Sequence, residues 1–247
     1  MSEEAQAAID GHDYERARVD LERLVVEAPG SAEAFHRLGR VLQVEGRLAE
    51  AEAAYRRALK LDPEYVGALI GAGEVEARSG QPEAALRRLD AALEIDPRQA
   101  DAHAAEGRVY ESLNRPSEAL AAYFRALALD PGATAVLLRV ATLQLARHQP
   151  DQALARLDQV LEREPDDAEA HHQRGLAHLA LDRPSSAVSD LQQAARTLRD
   201  RPEVFYHLAV ALDADHKTAA ALTAAEEALK IAPDYAEARA LTERLRR

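Results

Sequence analysis

The feature that most constrains the fold of this chain is a repeat of 34 residues, which runs without an insertion from residue 32 to residue 235. We number the places of the repeat from Ala32. Place 8 is glycine or alanine in every full copy. Place 20 is always alanine, at Ala17, Ala51, Ala85, Ala119, Ala153, Ala187 and Ala221. A fixed period of this length predicts stacked copies of one supersecondary unit, each burying its apolar face against its neighbours.

Each copy has the residue pattern of two helices joined by a tight turn. In residues 32–65, Phe35 occupies place 4, Gly39 place 8 and Tyr55 place 24. Proline at place 32 ends the second helix in six of the seven copies. The small residues at places 8 and 20 are expected where the two helices cross. Place 15 holds residues that tolerate the left-handed conformation of a helix end: His12, Gly46, Gly80, Asn114, His148, Asp182 and His216.

These features resemble the tetratricopeptide repeat (TPR) family over essentially the whole chain. The resemblance implies an all-α fold, an α-solenoid of antiparallel helix-turn-helix repeats that forms a right-handed superhelix. In the truncated first repeat, a short helix is predicted at about Ser2–Asp10, and such a start is either a natural cap or the boundary of a longer protein. We expect one TPR solenoid over residues 1–247, made of a truncated repeat, six full repeats and a capping helix: 1–31, 32–65, 66–99, 100–133, 134–167, 168–201, 202–235 and 236–247.

The composition argues against several kinds of site. The formal net charge of −12 argues against nucleic acid as a partner, because phosphate binding needs a concentrated basic surface. The chain contains no cysteine, so it has no disulfide, thiol nucleophile or cysteine-ligated metal. No apolar run approaches the length of a membrane span, and residues 1–10 lack the apolar core of a signal peptide. We expect no direct membrane insertion and a cytoplasmic location, or a periplasmic or membrane-attached one if residue 1 is the boundary of a longer protein.

No catalytic motif is recognisable, since the chain has no HExxH, nucleophile elbow, phosphate-binding loop or EF-hand loop. We therefore expect no enzymatic activity, no cofactor and no metal. One constellation could bind a metal ion, because Asp167 and His171 are one helical turn apart, beside Asp166 and His172. A structural interpretation is favoured. The two aspartates precede a helix, where carboxylates act as caps, and His171 occupies the aromatic place 4.

Three glycines of the second full repeat, Gly67, Gly71 and Gly73, superficially resemble a phosphate-binding loop. A dinucleotide site needs a preceding strand and a third glycine at the right spacing, and the sequence predicts neither. We interpret these glycines as residues that thin one helix.

Place 7 is an interior place where the pattern expects leucine, but it is charged in two repeats, at Glu106 and at Arg174. An unpaired ion at such a place would cost several kcal/mol, so each of them should have a partner. For Arg174 we predict Asp190, on the second helix of the same repeat. For Glu106 the partner stays open, with Arg139 on the next helix as a weaker candidate.

The resemblance implies that ligands bind on the concave face, which the first helices build from places 2, 5, 6, 9, 12 and 13. Two known TPR binding modes are not matched. Place 5 has no lysine to grip a terminal carboxylate, and the one asparagine of the chain, Asn114, is predicted in a turn. The candidate binding residues are cationic in the first half of the face and mainly apolar in the second: Arg37, Arg40, Arg78, Arg108, Leu138, Arg139, Leu145, Gln173, Leu176, Leu179, Tyr206 and His207.

The resemblance implies a scaffold or adaptor that binds a protein or peptide segment on this face. The expected segment is acidic and hydrophobic, because guanidinium groups bind carboxylates bidentately and the leucines favour apolar side chains. Two alternatives stay open. The chain could be a self-associating structural array unit, and hence a homo-oligomer, or it could be the TPR fragment of a larger enzyme or membrane-anchored protein.

Overall fold

The computed structural model describes residue 11 and residues 13–247. The first helix predicted at Ser2–Asp10 and the turn residue His12 lie outside the described residues. Within the described part of the chain there are fourteen α-helices and no strand. The helices are α1 Tyr14–Glu27, α2 Ala32–Val44, α3 Leu48–Leu61, α4 Val66–Arg78, α5 Pro82–Ile95, α6 Ala100–Ser112, α7 Pro116–Leu129, α8 Thr134–Ala146, α9 Pro150–Arg163, α10 Ala168–Ala180, α11 Pro184–Thr197, α12 Pro202–Ala214, α13 Thr218–Ile231 and α14 Ala236–Leu245.

The helix-turn-helix prediction is confirmed in every full repeat. Each contains a first helix of 13 residues and a second helix of 14 residues. The residue at place 15 ends the first helix in the left-handed conformation. Its φ is 76° at Gly46 and 77° at Gly80, and it lies between 54° and 60° at Asn114, His148, Asp182 and His216. Short polar side chains and histidine accept this conformation at lower cost than branched residues do, which explains why only these residue types occur at place 15.

The chain divides into two compact units, residues Met1–Pro131 and Gly132–Arg247. In the first unit, α2, α4 and α6 contact one another in series, and each packs on the second helix of its own repeat. In the second unit, α8, α10 and α12 do the same, and α14 follows α12. We call the surfaces formed by α2, α4 and α6, and by α8, α10 and α12, the first-helix faces of the two units. The candidate binding residues from the sequence all lie on these helices.

The core of each repeat forms where the side chain at place 24 lies on the small residue at place 8. Tyr55 and Tyr123 are fully buried, and a Cβ atom at Gly39 or Gly107 would collide with their rings. In the last full repeat the residue at place 24 is alanine, and place 8 is alanine as well. The alanines at place 20 are all 0% exposed, as expected at a helix crossing. Place 8 is therefore small because it accommodates a side chain from the second helix.

The predicted partner of Arg174 is confirmed. Its Nε and Nη2 atoms donate hydrogen bonds to the two carboxylate oxygens of Asp190, at 2.9 and 2.7 Å. Its Nη1 atom donates to Asp158 at 2.9 Å. Asp190 is only 4% exposed, and its carboxylate also has His171 Nδ1 at 2.9 Å and His178 Nε2 at 3.7 Å. The buried ion pair is thus bidentate and surrounded by further polar groups, which is what an interior charge needs.

The buried carboxylate of Glu106 has partners within the first unit. Its Oε2 atom lies 3.0 Å from Nδ1 of His103 and 4.0 Å from Nη1 of Arg125. Arg139, the weaker candidate from the sequence, belongs to the other unit. His103 and His171 both occupy place 4, and Nε2 of each contacts the backbone carbonyl of the preceding place-32 proline, at 3.3 and 2.9 Å. In these two repeats, histidine therefore replaces the aromatic residue and links an interior acid to the preceding turn.

Candidate functional site

A groove of about 500 Å³ opens on the first-helix face of the first unit. Two rings from the first full repeat lie against α4 in this groove. A Cβ atom at Gly71 would collide with the ring of Tyr55, and one at Gly67 would lie 3.0 Å from Nε2 of His36. The two glycines let these rings approach the helix backbone. Their interpretation as residues that thin a helix is confirmed.

Three charged residues at place 9 follow one another across this face in the order Arg40, Glu74 and Arg108. Glu74 is bound from two sides, because Arg108 Nη2 donates to its Oε1 atom and Gln43 Nε2 donates to its Oε2 atom at 2.8 Å. Arg40 lines the same groove and is exposed. Among the described residues, its guanidinium has neither a hydrogen bond nor an ion pair. The groove therefore contains one paired and one unpaired cation.

Gln43 holds the carboxylate of Glu74 in place and is itself fixed by two neighbours. The hydroxyl of Tyr55 donates to Gln43 Oε1 at 2.8 Å, and Arg78 Nη1 donates to the Gln43 backbone carbonyl at 3.2 Å. Burial, and then the negative charge of Glu74, raise the pKa of the Tyr55 phenol, which keeps the hydroxyl a donor. The orientation of Glu74 is thus set by groups other than Arg40.

His36 lines the groove and is packed between aromatic rings. Its ring centroid lies 6.0 Å from that of Tyr55 and 5.1 Å from that of Tyr65. Burial, and then the positive charges of Arg40 and Arg37, lower the pKa of its imidazole to about 4. The ring is therefore neutral at neutral pH. No hydrogen bond to the His36 side chain is formed by any residue that the structure describes.

The groove also has apolar and acidic parts. Val44 is 59% exposed there, and Ile70 lines the groove as well. Asp101, at the start of α6, is exposed and adds a second carboxylate to that of Glu74. Two guanidinium groups and two carboxylates line the groove, so their formal charges cancel. In a chain with a net charge of −12, this is a comparatively positive surface.

The four candidate arginines of the first unit are not equivalent. Arg40 and Arg108 line the groove together. Arg78 lies with Arg108 in a second cavity of about 400 Å³, which shares Gln43 and Glu74 with the groove. Arg37 pairs with a glutamate one turn earlier on its own helix, at 2.7 Å. The structure thus brings Arg40, Arg78 and Arg108 near one another around Glu74, and it leaves Arg37 outside these cavities.

The apolar candidates of the second unit are less exposed than their pattern predicts. Leu138, Leu145 and Leu176 are half-buried. Leu179 and Tyr206 pack against the buried core of this unit. Leu179 and Tyr206 therefore contribute to the core of this unit as well as to its first-helix face. This core combines residues of two successive repeats and of α14, and such a combination is not visible in the pattern of a single helix.

The polar candidates of the second unit have partners of their own. Gln173 Nε2 donates to Glu169 Oε1 at 2.8 Å, and Nδ1 of His207 lies 2.9 Å from Nε2 of His172. Burial, and then the neighbouring His172, lower the pKa of His207 to about 4. Arg139 is exposed on α8.

Sequence reasoning missed the polar cluster around His172, which is 3% exposed. The nearby His172, whose Nδ1 atom lies 3.8 Å from Glu169 Oε1, and then hydrogen bonds from Gln173 and Arg201 lower the pKa of Glu169 to about 2. His172 and His207 occupy place 5 of one repeat and place 6 of the next, so the register could have identified them as neighbours. A second regularity of the register is a ring contact between places 5 and 34 of the same repeat. Tyr206 contacts Tyr235 at 5.3 Å between ring centroids, as His36 contacts Tyr65.

The residues weighed as a metal site have separate structural roles. Asp167 accepts a hydrogen bond from the backbone N–H of Ala170 at 2.8 Å and caps α10. His171 contacts Asp190, and His172 contacts His207. The described residues contain no group of three or more metal-ligating side chains. Among the described helices, none combines the length and the apolar content that a membrane span requires.

Comparison with known families identifies the repeat. A family model described as tetratricopeptide repeat matches residues 44–109 and 110–175. A second model of the same description matches residues 2–66 and 172–236. No curated protein matches the chain in sequence.

Solved structures similar to this chain are also TPR proteins. The APC/C hetero-tetramer Cut9–Hcn1 has a TM-score of 0.81 and 17% identity, over 98% of this chain and 48% of the matched one, so this chain spans about half of that relative. YrrB, described as a TPR protein with an unusual peptide-binding site, has a TM-score of 0.69 and 23% identity, over 78% of this chain and 99% of its own. PilF of Pseudomonas aeruginosa has a TM-score of 0.78 and 17% identity, over 86% of this chain and 97% of its own. At these identities the likeness shows the fold, an all-α solenoid of helical repeats.

Proposed function

The chain belongs to the tetratricopeptide repeat family, and from that premise we propose that it is a scaffold that binds a segment of a partner protein on its first-helix faces. Proteins of this family are typically non-catalytic scaffolds. YrrB is similar in fold and has a peptide-binding site, and we extend that property to this chain as part of the proposal.

The observation that carries the proposal is the groove of the first unit with its unpaired Arg40. Polar groups on a protein surface are ordinarily solvated, but this guanidinium shares a groove with an exposed valine, Val44, and with the ring of Tyr55, which covers Gly71. A concave surface that combines apolar area with a few placed polar groups is the usual form of a binding site.

The ligand that best fits is an extended segment with acidic and hydrophobic side chains. A carboxylate would pair with Arg40, and an aliphatic side chain would cover Val44. The half-buried Leu138, Leu145 and Leu176 offer apolar contact on the second unit, with Arg139 beside them. The charged contacts would mainly set the association rate and its salt dependence, and the apolar contacts would set the residence time.

The proposal is tested by affinity capture from a lysate of the source organism with three variants of the full chain. The first is Arg37→Glu with Arg40→Glu, which reverses charge on the first-helix face. The second is Leu176→Asp on the second unit. The control is Arg56→Glu with Arg88→Glu, the same charge change on the second helices α3 and α5. Captured proteins are quantified against the parent and then titrated against each variant at low and high salt.

We consider a partner that still binds the control variant. It should bind the arginine variant less well than the parent, most of all at low salt, and it should bind the Leu176→Asp variant less well at any salt. A partner lost only by the control variant would show that binding uses the second helices instead. If light scattering over a range of concentrations shows that the chain associates with itself, and the first-helix variants abolish that association, the partner is a second copy of the chain.

A further inference from the structure

We propose that the groove of the first unit is a carboxylate-binding site, in which Arg40 supplies the positive charge and His36 takes up a proton from solvent as an acidic side chain of the bound segment enters. This inference rests on the proposed function and specifies its ligand chemistry and its regulation.

The charges at place 9 leave Arg40 without a partner among the residues that the structure describes. The alternating order of Arg40, Glu74 and Arg108 would allow the central acid to pair with either arginine. Arg108 and Gln43 occupy the two oxygens of Glu74, and Gln43 is held in turn by the hydroxyl of Tyr55. Pairing Glu74 with Arg40 would disrupt this connected set of hydrogen bonds. A carboxylate from a ligand can pair with Arg40 without disrupting any of them.

The imidazole of His36 is the second polar group in the groove without a hydrogen bond from the described residues. Arg40, one turn further along α2, helps to keep it neutral, because two adjacent cations repel. A carboxylate bound at Arg40 would neutralise that repulsion and offer an acceptor for an imidazolium N–H. The charged and titratable groups around His36 are Glu33, Arg37 and Arg40 on its own helix, Tyr55 of α3, Tyr65, Glu74 of α4, and Asp101 and Arg108 of α6.

The acids in the groove favour a carboxylate over a phosphate group. Glu74 and Asp101 line the same groove, and of its two guanidinium groups only that of Arg40 lacks a partner within the described part of the chain. A phosphate carries close to two negative charges at neutral pH, so it would meet more repulsion for the same single cation. Val44, 59% exposed in this groove, favours an aliphatic side chain next to the acid. The proposed ligand is therefore a segment in which one glutamate or aspartate adjoins aliphatic residues.

Binding of such a segment should strengthen as the pH falls. The free protein has a His36 pKa of about 4, and a bound carboxylate would raise it towards the ordinary histidine value. If the bound value returns to about 6.5, affinity should rise about tenfold between about pH 7.5 and about pH 5.5. Over that range the ligand carboxylate stays ionised.

The test uses three acetylated and amidated peptides, so that the only ionisable group is the one under study. In the first, one glutamate lies between two leucines. In the second and third, glutamine and phosphoserine replace the glutamate. Binding to the full chain is measured by calorimetry at both pH values, and the ring resonances of His36 are followed by NMR. The variants are Arg40→Gln and His36→Gln, with Arg56→Gln as the matched charge control on α3.

We expect the glutamate peptide to bind better than the other two and to shift the His36 resonances. Arg40→Gln should weaken binding of the glutamate peptide about tenfold or more, because a charge-assisted hydrogen bond is lost. Arg56→Gln should leave this affinity unchanged. His36→Gln should leave binding near pH 7.5 and remove the gain at lower pH. The inference is overturned if the glutamate peptide does not bind, or if Arg40→Gln leaves its affinity unchanged. It is also overturned if the His36→Gln variant still binds more tightly at the lower pH, or if the phosphoserine peptide binds more tightly than the glutamate peptide. None of these results bears on whether a captured partner requires the first-helix faces, so the scaffold proposal is judged separately.

Discussion

Replacing Asp190 by alanine is the change that most directly tests how the second unit accommodates its interior charge. The carboxylate of Asp190 is buried and accepts two hydrogen bonds from Arg174, and His171 and His178 also lie against it. Removing it leaves the guanidinium of Arg174 and the imidazoles of His171 and His178 without their shared acceptor. We expect the second unit to be destabilised strongly, while the first unit is unaffected.

The magnitude follows from the surroundings of Arg174. Removing one partner of a buried ion pair typically costs 3–5 kcal/mol. The Arg174 side chain is 25% exposed and keeps Asp158 as a partner, so it is partly solvated and partly paired after the change. We therefore expect a loss of about 2–4 kcal/mol for Asp190→Ala.

The repeat supplies a matched control. In residues 32–65 the equivalent places 4, 7 and 23 hold Phe35, Leu38 and Ala54, and Leu38 and Ala54 are buried. Transplanting these residues gives the triple variant His171→Phe, Arg174→Leu and Asp190→Ala. Replacement of a buried ion pair by packed apolar residues is often neutral, so the triple variant should recover most of the loss.

The assay is urea unfolding followed by far-UV circular dichroism, together with hydrogen exchange of the amides in α10 and α11. Hydrogen exchange is needed because repeat arrays do not always unfold in one cooperative step. The reasoning would be refuted if Asp190→Ala left amide protection in α10 and α11 unchanged. It would also be refuted if the triple variant were as unstable as the single one, since the lost ion pair would then not be the cause.

Three further predictions concern packing and pH. Ala119→Leu should cost roughly 1–3 kcal/mol by overpacking a fully buried crossing, and a variant with unchanged urea stability would show that place 20 is not at the crossing. Gly107→Ala should lower the urea midpoint, because its Cβ would collide with the ring of Tyr123, whereas the control Gly30→Ala has open space and should not. Burial lowers the pKa of His207 to about 4 in the folded state. The unfolded state binds this proton more readily, with a pKa of about 6.5, so the stability of the second unit should fall as the pH drops through that interval. His207→Gln should flatten this fall in hydrogen-exchange protection, and an unchanged slope would contradict the assignment.

The sequence by itself determined the architecture of the repeats. Helix lengths, the left-handed turn residues and the small residues at places 8 and 20 depend on local conformation and on contacts within one helix pair, and both recur with the period. The pairing of Arg174 with Asp190 was predictable for the same reason. Places 7 and 23 of one repeat face each other, so the register alone brought the two residues together.

Only the tertiary structure decided which side chains of the first-helix faces are free to bind. Arg40, Glu74 and Arg108 occupy the same place in three successive repeats, and the sequence treats both arginines alike. They differ because Gln43, which is held by the Tyr55 hydroxyl, donates to Oε2 of Glu74, while Arg108 donates to Oε1. Contacts of this kind join long side chains across neighbouring repeats, so they depend on distances between helices. A repeat pattern specifies the order of the helices and the residue at each place, but the distances between side chains are set by packing.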